Sequence, residues 1–211
     1  ATIVISDKGG TFEIVVGNSI TRDRGSLEID KTLSNPDGAT VPASFTVNYN
    51  CGVGYTGSRT VTTAVDATVS GIPTGNTCSV TEVIPDPIPG YTWDQTPSYT
   101  PASIVISGKG GTFEIVVGNS ITRDRGSFKI TKSVSNPDGA TLPAAFTGTY
   151  DCGEGYTGSW SVAAGGSQTI SGIPTGSVCS VVETAPVAID GYSWGEITYT
   201  PATIEIGTKG D

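Results

Sequence analysis

Three polar side chains occupy positions that the sequence pattern assigns to the protein interior. Lys31, Glu82 and Asn119 each lie in a segment whose apolar residues recur at every second position, and each takes one of the inward positions. Such alternation is typical of a half-buried β-strand, whose successive side chains point to opposite faces. An amine, a carboxylic acid and a carboxamide are therefore expected inside one apolar core.

Burial of these three groups favours a condensation reaction. An apolar environment lowers the pKa of a lysine and raises that of a glutamic acid, so both groups can become neutral. A neutral amine is a nucleophile, an asparagine amide is an electrophile, and a protonated glutamic acid can polarise the carbonyl and shuttle the proton. The expected product is a Lys31–Asn119 isopeptide bond, formed with loss of ammonia and with Glu82 as catalytic group. The pattern equally allows a buried Lys–Glu ion pair hydrogen-bonded to the asparagine.

The same pattern occurs a second time along the chain. Lys132 and Glu183 take the matching inward positions of later segments. The matching asparagine falls eight residues beyond Asp211, whereas Asn18 lies in a copy of the segment that carries Asn119. The sequence therefore predicts a second site composed of Lys132, Glu183 and Asn18.

The chain contains a long internal repeat. Residues Gly9–Ser26 recur letter for letter at Gly110–Ser127, an offset of 101, and further matches continue through most of the sequence. The phase of the repeat predicts three parts. They are a spare copy of the closing strand at 1–24, a complete domain at 25–125, and an incomplete domain at 126–211 that lacks its last strand.

Each repeat consists of short alternating segments separated by turn sequences. Asn35-Pro36-Asp37-Gly38, which returns at 136–139, combines residues that each favour a turn for a different backbone reason. No segment has a helical stripe. About 100 residues of short strands with regular turns are typical of an immunoglobulin-like sandwich. The predicted fold is all-β, with two tandem Ig-like domains and a spare N-terminal β-strand.

The composition excludes several classes of function. The 211 residues include no His, so a His-based triad, an imidazole base and a His metal ligand are impossible. The net charge of −9 argues against nucleic acid and against anionic membrane surfaces as partners. The longest apolar runs are far too short to span a bilayer. No metal-ligand spacing or cofactor motif is expected.

The four cysteines form two equally spaced pairs. Cys51 and Cys78 are 27 positions apart, as are Cys152 and Cys179. An even count at repeated spacing favours one disulfide in each domain and an oxidising compartment. The alternative is a Cys–Gln thioester, but the available glutamines do not occupy equivalent positions of the repeat.

Particular motifs also carry a family resemblance. The stretches "GSFKITKSVSNPDG", "SVVETAP" followed by "GYSW", and "FEIVVGNS" resemble the B-type (CnaB-type) repeat domains of Gram-positive collagen-binding adhesins and sortase-assembled pilins. The resemblance is greatest to actinobacterial surface repeats that carry a disulfide. It implies that Lys31 is the nucleophile, Glu82 the proton shuttle and Asn119 the electrophile of an isopeptide bond. It also implies an extracellular or cell-surface location.

The spare closing strand suggests how copies of the chain assemble. A sandwich without its last strand exposes an apolar groove, and residues 1–24 match the expected occupant. Donation of this strand to the second domain of another copy would build a head-to-tail filament, with Asn18 meeting Lys132 and Glu183. The expected function is a pilus-like extracellular fibre subunit rather than an enzyme. The alternative is a stalk segment of a longer tandem-repeat adhesin without bonds between subunits.

Overall fold

The computed structural model describes residues 2–6, 8–153 and 155–207. Within these ranges the chain forms β-strands joined by turns and loops, with no helix. The strands fall into two successive sets. We call residues 24–123 the first unit and residues 125–207 the second unit.

The first unit contains nine strands within the described residues. They are β1 Arg24–Ser34, β2 Phe45–Asn50, β3 Thr56–Val61, β4 Ala67–Pro73, β5 Thr77–Glu82, β6 Tyr91–Trp93, β7 Ser98–Thr100, β8 Ile104–Val105 and β9 Thr112–Arg123. One sheet has the order β4-β1-β9-β6, with β7 also paired to β9, and the other has the order β3-β2-β5-β8. The two sheets pack face to face, as in an immunoglobulin-like sandwich.

The first and last strands of this unit are parallel neighbours. Strand β1 pairs with β9 in continuous register from Ser26 opposite Thr112 to Ser34 opposite Ser120. Their inward side chains, Leu27 and Ile29 on β1 and Ile115 and Val117 on β9, are fully buried. Burial of this apolar surface is the main force that holds the strands in one register, because a one-residue slip would turn every side chain to the opposite face.

The second unit contains six strands within the described residues. They are β10 Arg125–Thr131, β11 Phe146–Asp151, β12 Thr157–Val162, β13 Ser167–Pro174, β14 Val178–Glu183 and β15 Thr203–Glu205. Strand β10 pairs with β13, and the other sheet has the order β12-β11-β14-β15. A separate apolar core, which includes Phe128, Phe146 and Ile170, lies between the two sheets.

The second unit differs from the first along one edge of β10. Strand β1 has partners on both sides, whereas β10 pairs only with β13 among the described residues and ends four positions earlier in the repeat. In the first unit, β6 and β7 pair with β9. The second unit has no counterpart of β9 among the described residues, so the segments that match β6 and β7 form no strand in it. A groove of about 530 Å³ lies along this edge and is lined by Phe128, Ile130, Val134 and Trp194, among others.

The predicted N-terminal strand lies outside both sheets. Residues 2–6 and 8–23 form no strand in the described part of the chain, although residues 11–22 repeat the whole sequence of β9. Ile14 and Val16 are 55% and 81% exposed, whereas their counterparts Ile115 and Val117 are fully buried. A strand exists only with a partner, and the corresponding edge of β1 is already occupied by β9. Identical sequences therefore have opposite burial.

The junctions into the two units share one set of contacts. The Arg123 guanidinium donates a hydrogen bond to the Thr175 carbonyl, and the Thr175 amide donates to the Asp124 carbonyl. At the matching position 101 residues earlier, Arg22 donates to the Thr74 carbonyl at 3.0 Å, and the Thr74 amide donates to the carbonyl of residue 23. The chain therefore enters each unit in the same way.

Candidate cross-linking site

Lys31 lies inside the sandwich of the first unit. The alternation of β1 places it inward together with Leu27 and Ile29, and the residue is only 2% exposed. Its Nζ lies 4.7 Å from the centre of the Phe45 ring on the facing sheet. The sequence prediction that this lysine points into the core is confirmed.

The Lys31 ammonium group has only weak polar contacts. Its Nζ donates hydrogen bonds to the carbonyls of Thr32 at 3.1 Å and Val117 at 3.3 Å. Glu82 Oε1 lies 3.5 Å from the same nitrogen, and both side chains are fully buried. A fully desolvated ion pair with a gap of this length recovers little of the free energy lost on removing the two charges from water.

Glu82 and Asn119 complete the cluster from two other strands. Glu82 ends β5 opposite Val47, and its backbone N–H donates to Tyr99 Oη at 2.9 Å. Asn119 lies on β9 opposite Leu33, and both polar residues are buried. The Asn119 amide and the Lys31 ammonium approach the Glu82 carboxyl without reaching ordinary hydrogen-bond geometry, and Asn119 Oδ1 also has no hydrogen-bond partner.

The electrostatics of the site favour neutral forms of both titratable groups. Burial lowers the pKa of Lys31, and the Glu82 carboxylate opposes this shift only in part. Burial also raises the pKa of Glu82, against the opposing effects of Lys31 and of Asn119. A neutral amine and a protonated carboxyl beside an unpartnered amide oxygen are the species that amide exchange requires.

The second unit holds two of the three groups. Lys132 Nζ donates to Glu183 Oε2 at 2.8 Å, and it lies 4.7 Å from the centre of the Phe146 ring. The Lys132 side chain is 17% exposed, in contrast to the fully buried Lys31, because it borders the open groove. Glu183 Oε1 has no hydrogen-bond partner. Asn18, the predicted third member, lies in the exposed N-terminal segment.

Both predicted disulfides are present. Cys51–Cys78 and Cys152–Cys179 have S–S distances of 2.04 Å and 2.01 Å, and all four residues are buried. In each unit the bond joins neighbouring strand ends of the sheet that carries the glutamate. These thiols are therefore not available for the thioester that was the alternative.

Two aromatic contacts of the site were missed by the sequence analysis. Tyr99 and Tyr199 accept hydrogen bonds from the backbone N–H groups of Glu82 and Glu183 and so fix the ends of their strands. Phe45 and Phe146 place a ring beside each lysine. The sequence does contain one indication of these contacts: each of the four aromatic residues recurs at the matching position of the repeat.

Metal-ligand clusters and membrane-spanning helices are both absent from the part of the chain that the structure describes. Residues 2–6, 8–153 and 155–207 contain no cluster of three or more His, Cys, Asp or Glu side chains that could hold a metal ion. In the same ranges no helix has the length and apolar character needed to cross a membrane.

Comparisons with known proteins give a family and several similar folds. No curated protein matches the chain. Solved structures with similarity include the Bacillus anthracis TIE protein, at 23% identity over 90% of this chain and 32% of that chain, with a TM-score of 0.41. A Mobiluncus mulieris adhesin containing intramolecular disulfide, isopeptide and ester bond cross-links matches at 21% identity over 46% of this chain and 41% of that chain, with a TM-score of 0.33.

Another of the solved structures is a single repeat domain. A single B repeat of the Staphylococcus aureus collagen-binding surface protein matches at 18% identity over 81% of this chain and 90% of the repeat, with a TM-score of 0.29. The chain spans only about a third of the Bacillus anthracis protein and two fifths of the Mobiluncus mulieris chain. The immunoglobulin-like fold of this chain follows from its own strand order and register.

One family of domains matches most of the sequence. It is described as "Domain of unknown function (DUF5979)", and it matches residues 27–122 and again residues 128–211. These two ranges follow the two repeats found in the sequence. The chain therefore belongs to the DUF5979 family and carries two copies of its domain.

Proposed function

We propose that this chain is a structural subunit of an extracellular fibre, and that autocatalytic Lys–Asn isopeptide bonds stabilise it. The observation that carries this proposal is the buried cluster of Lys31, Glu82 and Asn119, in which both carboxyl oxygens and the amide oxygen have no hydrogen-bond partner. Unpartnered polar atoms at full burial are costly as a resting state. A reaction that removes the charge and pairs the oxygens relieves that cost.

The proposed step is an amide exchange that balances within the cluster. The neutral Lys31 Nζ attacks Asn119 Cγ while protonated Glu82 donates its proton toward Oδ1. The Nζ–Cγ bond forms and the Cγ–Nδ2 bond breaks. One proton of the lysine amine passes through Glu82 to Nδ2, which leaves as ammonia. Glu82 ends protonated and can donate to the new amide oxygen, so the site reacts once and does not turn over.

The position of this bond suits a load-bearing fibre. It joins β1 to β9, the parallel neighbours that begin and end the first unit. Force applied at the two ends of the unit would pass through the covalent link before it reached most of the sandwich. The disulfide lies in the other sheet, so each sheet of the unit would carry one covalent bond.

We further propose that residues 11–23 of one copy complete the second unit of another. The groove of about 530 Å³ lies where β9 lies in the first unit. Residues 11–22 repeat the whole sequence of β9, and their side chains Ile14, Val16 and Ile20 are exposed. Strand addition to an open sheet edge satisfies the backbone groups of both partners. In the β1–β9 register, Asn18 would lie opposite Val134, beside Lys132 and Glu183. A heterologous contact of this kind propagates as a filament.

Intact mass and denaturing electrophoresis under reducing conditions test both bonds. The purified chain should lose the mass of one ammonia for each Lys–Asn bond and should form a ladder of multimers. Asn18→Ala should abolish the ladder but keep the internal ammonia loss. The matched variant Asn119→Ala should keep the ladder and abolish the internal loss. A chain with its full uncondensed mass would refute the isopeptide proposal, and a monomer band alone would refute covalent assembly.

A stalk segment in a longer tandem array is the second candidate. The matching junction contacts of Arg22 with Thr74 and of Arg123 with Thr175 support it, because residues 11–23 would then close a preceding domain of the same polypeptide. Sequencing the N-terminus of native material distinguishes the candidates, since a mature chain that starts well before residue 1 supports the stalk. Both candidates place the protein outside the cell, in keeping with its two disulfides.

A further inference from the structure

The closing strand is identical in sequence in its two copies, but the strands that would receive it differ. On the outer face of the first unit, Glu28 of β1 pairs in register with Glu114 of β9. At the position of Glu28 the second unit has Lys129, which is exposed on β10. The residue of the N-terminal segment that corresponds to Glu114 is Glu13.

The outer face of the first unit is crowded with carboxylates. Asp30 follows on the same face of β1, and Asp66 precedes the adjacent strand β4. A hydrogen bond with Asp30 raises the pKa of Asp66, and the nearby charges of Glu28 and Glu114 raise it further. The acidic closing strand therefore adds to an existing repulsion when it pairs with β1.

The second unit has none of these acidic groups at the matching positions. Lys129 replaces Glu28, Thr131 replaces Asp30, and Ser167 replaces Asp66. On β13, Thr169 pairs with Lys129 and Ser167 pairs with Thr131. A glutamate placed opposite Lys129 would therefore lie near one positive charge. At the matching positions, neither β10 nor β13 carries a negative charge.

We infer that Lys129 is the recognition residue that selects residues 11–23 of a second copy as the occupant of the groove, through an ion pair with Glu13. The inference rests on the proposed strand donation, since the pairing follows when the incoming strand adopts the β1–β9 register. The same strand is repelled by the first unit and attracted by the second. Charge complementarity therefore favours head-to-tail joining over exchange of the strand into the first unit.

Uptake of a labelled synthetic peptide of residues 9–24 by the full 211-residue chain tests this inference. The rate of covalent capture, followed by denaturing electrophoresis at low salt, should fall about fivefold in Lys129→Glu. The effect should shrink at high salt, where exposed charges are screened. A peptide with Glu13→Lys should react slowly with the unsubstituted chain and should recover on Lys129→Glu. Arg59→Glu makes the same charge change at an exposed strand position of the first unit and should leave the rate unchanged.

The outcomes separate the inference from the proposal beneath it. If the unsubstituted chain captures no peptide at any salt concentration, strand donation fails and the recognition role fails with it. If capture proceeds but Lys129→Glu and the Glu13→Lys peptide leave its rate unchanged, donation stands and the role of Lys129 is refuted. Reciprocal rescue by the swapped pair supports the inference.

Discussion

Glu82→Gln tests the chemistry of the first unit with almost no change of shape. The substituted side chain keeps its volume and can still donate to the Asn119 oxygen, but it cannot shuttle a proton. Lys31 and Asn119 are 88 positions apart in the sequence. On the chain-entropy model, the loss of a covalent link that closes a loop of this length costs about 4.5 kcal/mol of unfolding free energy. For a unit of this size that corresponds to a fall in Tm of roughly 20–35 °C.

Calorimetry combined with intact mass measures this effect directly. The variant should retain the ammonia that the unsubstituted chain is proposed to lose, and its first-unit transition should move down by the stated amount. Glu183→Gln is the matched control, since Lys132 has no asparagine beside it in the described part of its own chain; it should leave the first-unit transition and the internal mass loss unchanged. A Glu82→Gln chain with the ammonia loss and Tm of the unsubstituted protein would refute the role of Glu82.

Three further expectations concern charge, the disulfide and the junction. In Asn119→Ala, the free energy of unfolding should fall as pH rises above the ordinary glutamate pKa of 4.5, because burial raises the pKa of Glu82. It should recover as pH approaches the ordinary lysine pKa of 10.5, because burial lowers the pKa of Lys31. Urea unfolding at several pH values measures this profile, and a flat profile contradicts the expectation. Replacing both cysteines of the Cys51–Cys78 pair by Ser should cost about 3.5 kcal/mol of unfolding free energy, measured by urea titration, and a cost near zero contradicts the loop-closure reasoning. Asp37→Ala removes a hydrogen bond from the backbone N–H of Arg123, the last residue of β9, and an ion pair with Arg125 at the start of β10. Small-angle scattering should therefore reveal more bending between the units, while both Tm values stay within a few degrees.

The inward positions of the polar cluster were predictable because strand geometry fixes them. Alternation at period two placed Lys31, Glu82 and Asn119 inside before any partner was known, and all three are buried. The alternation does not continue past the site: β5 ends at Glu82, and Ile84 is 44% exposed.

Other features depended on contacts that no local pattern encodes. No local spacing in the sequence predicts that β1 pairs with β9, because the paired residues are about 86 positions apart. Tyr99 could not be assigned to the site, since its hydroxyl reaches Glu82 from a short strand that pairs elsewhere. The N-terminal segment shows most clearly what the sequence alone cannot predict. Its sequence predicts a strand, but whether that strand forms depends on a free sheet edge with which it can pair.

The matching junctions have a consequence for the appearance of the proposed fibre. The contact of Arg22 with Thr74 and that of Arg123 with Thr175 occur at matching junctions. If both contacts impose the same rotation and the same axial translation between successive sandwiches, one screw operation relates each sandwich to the next. Electron micrographs and fibre diffraction would then display an axial period of a single sandwich, half the period expected from the polypeptide, and only the differing surface charges would mark where one molecule stops and the next starts.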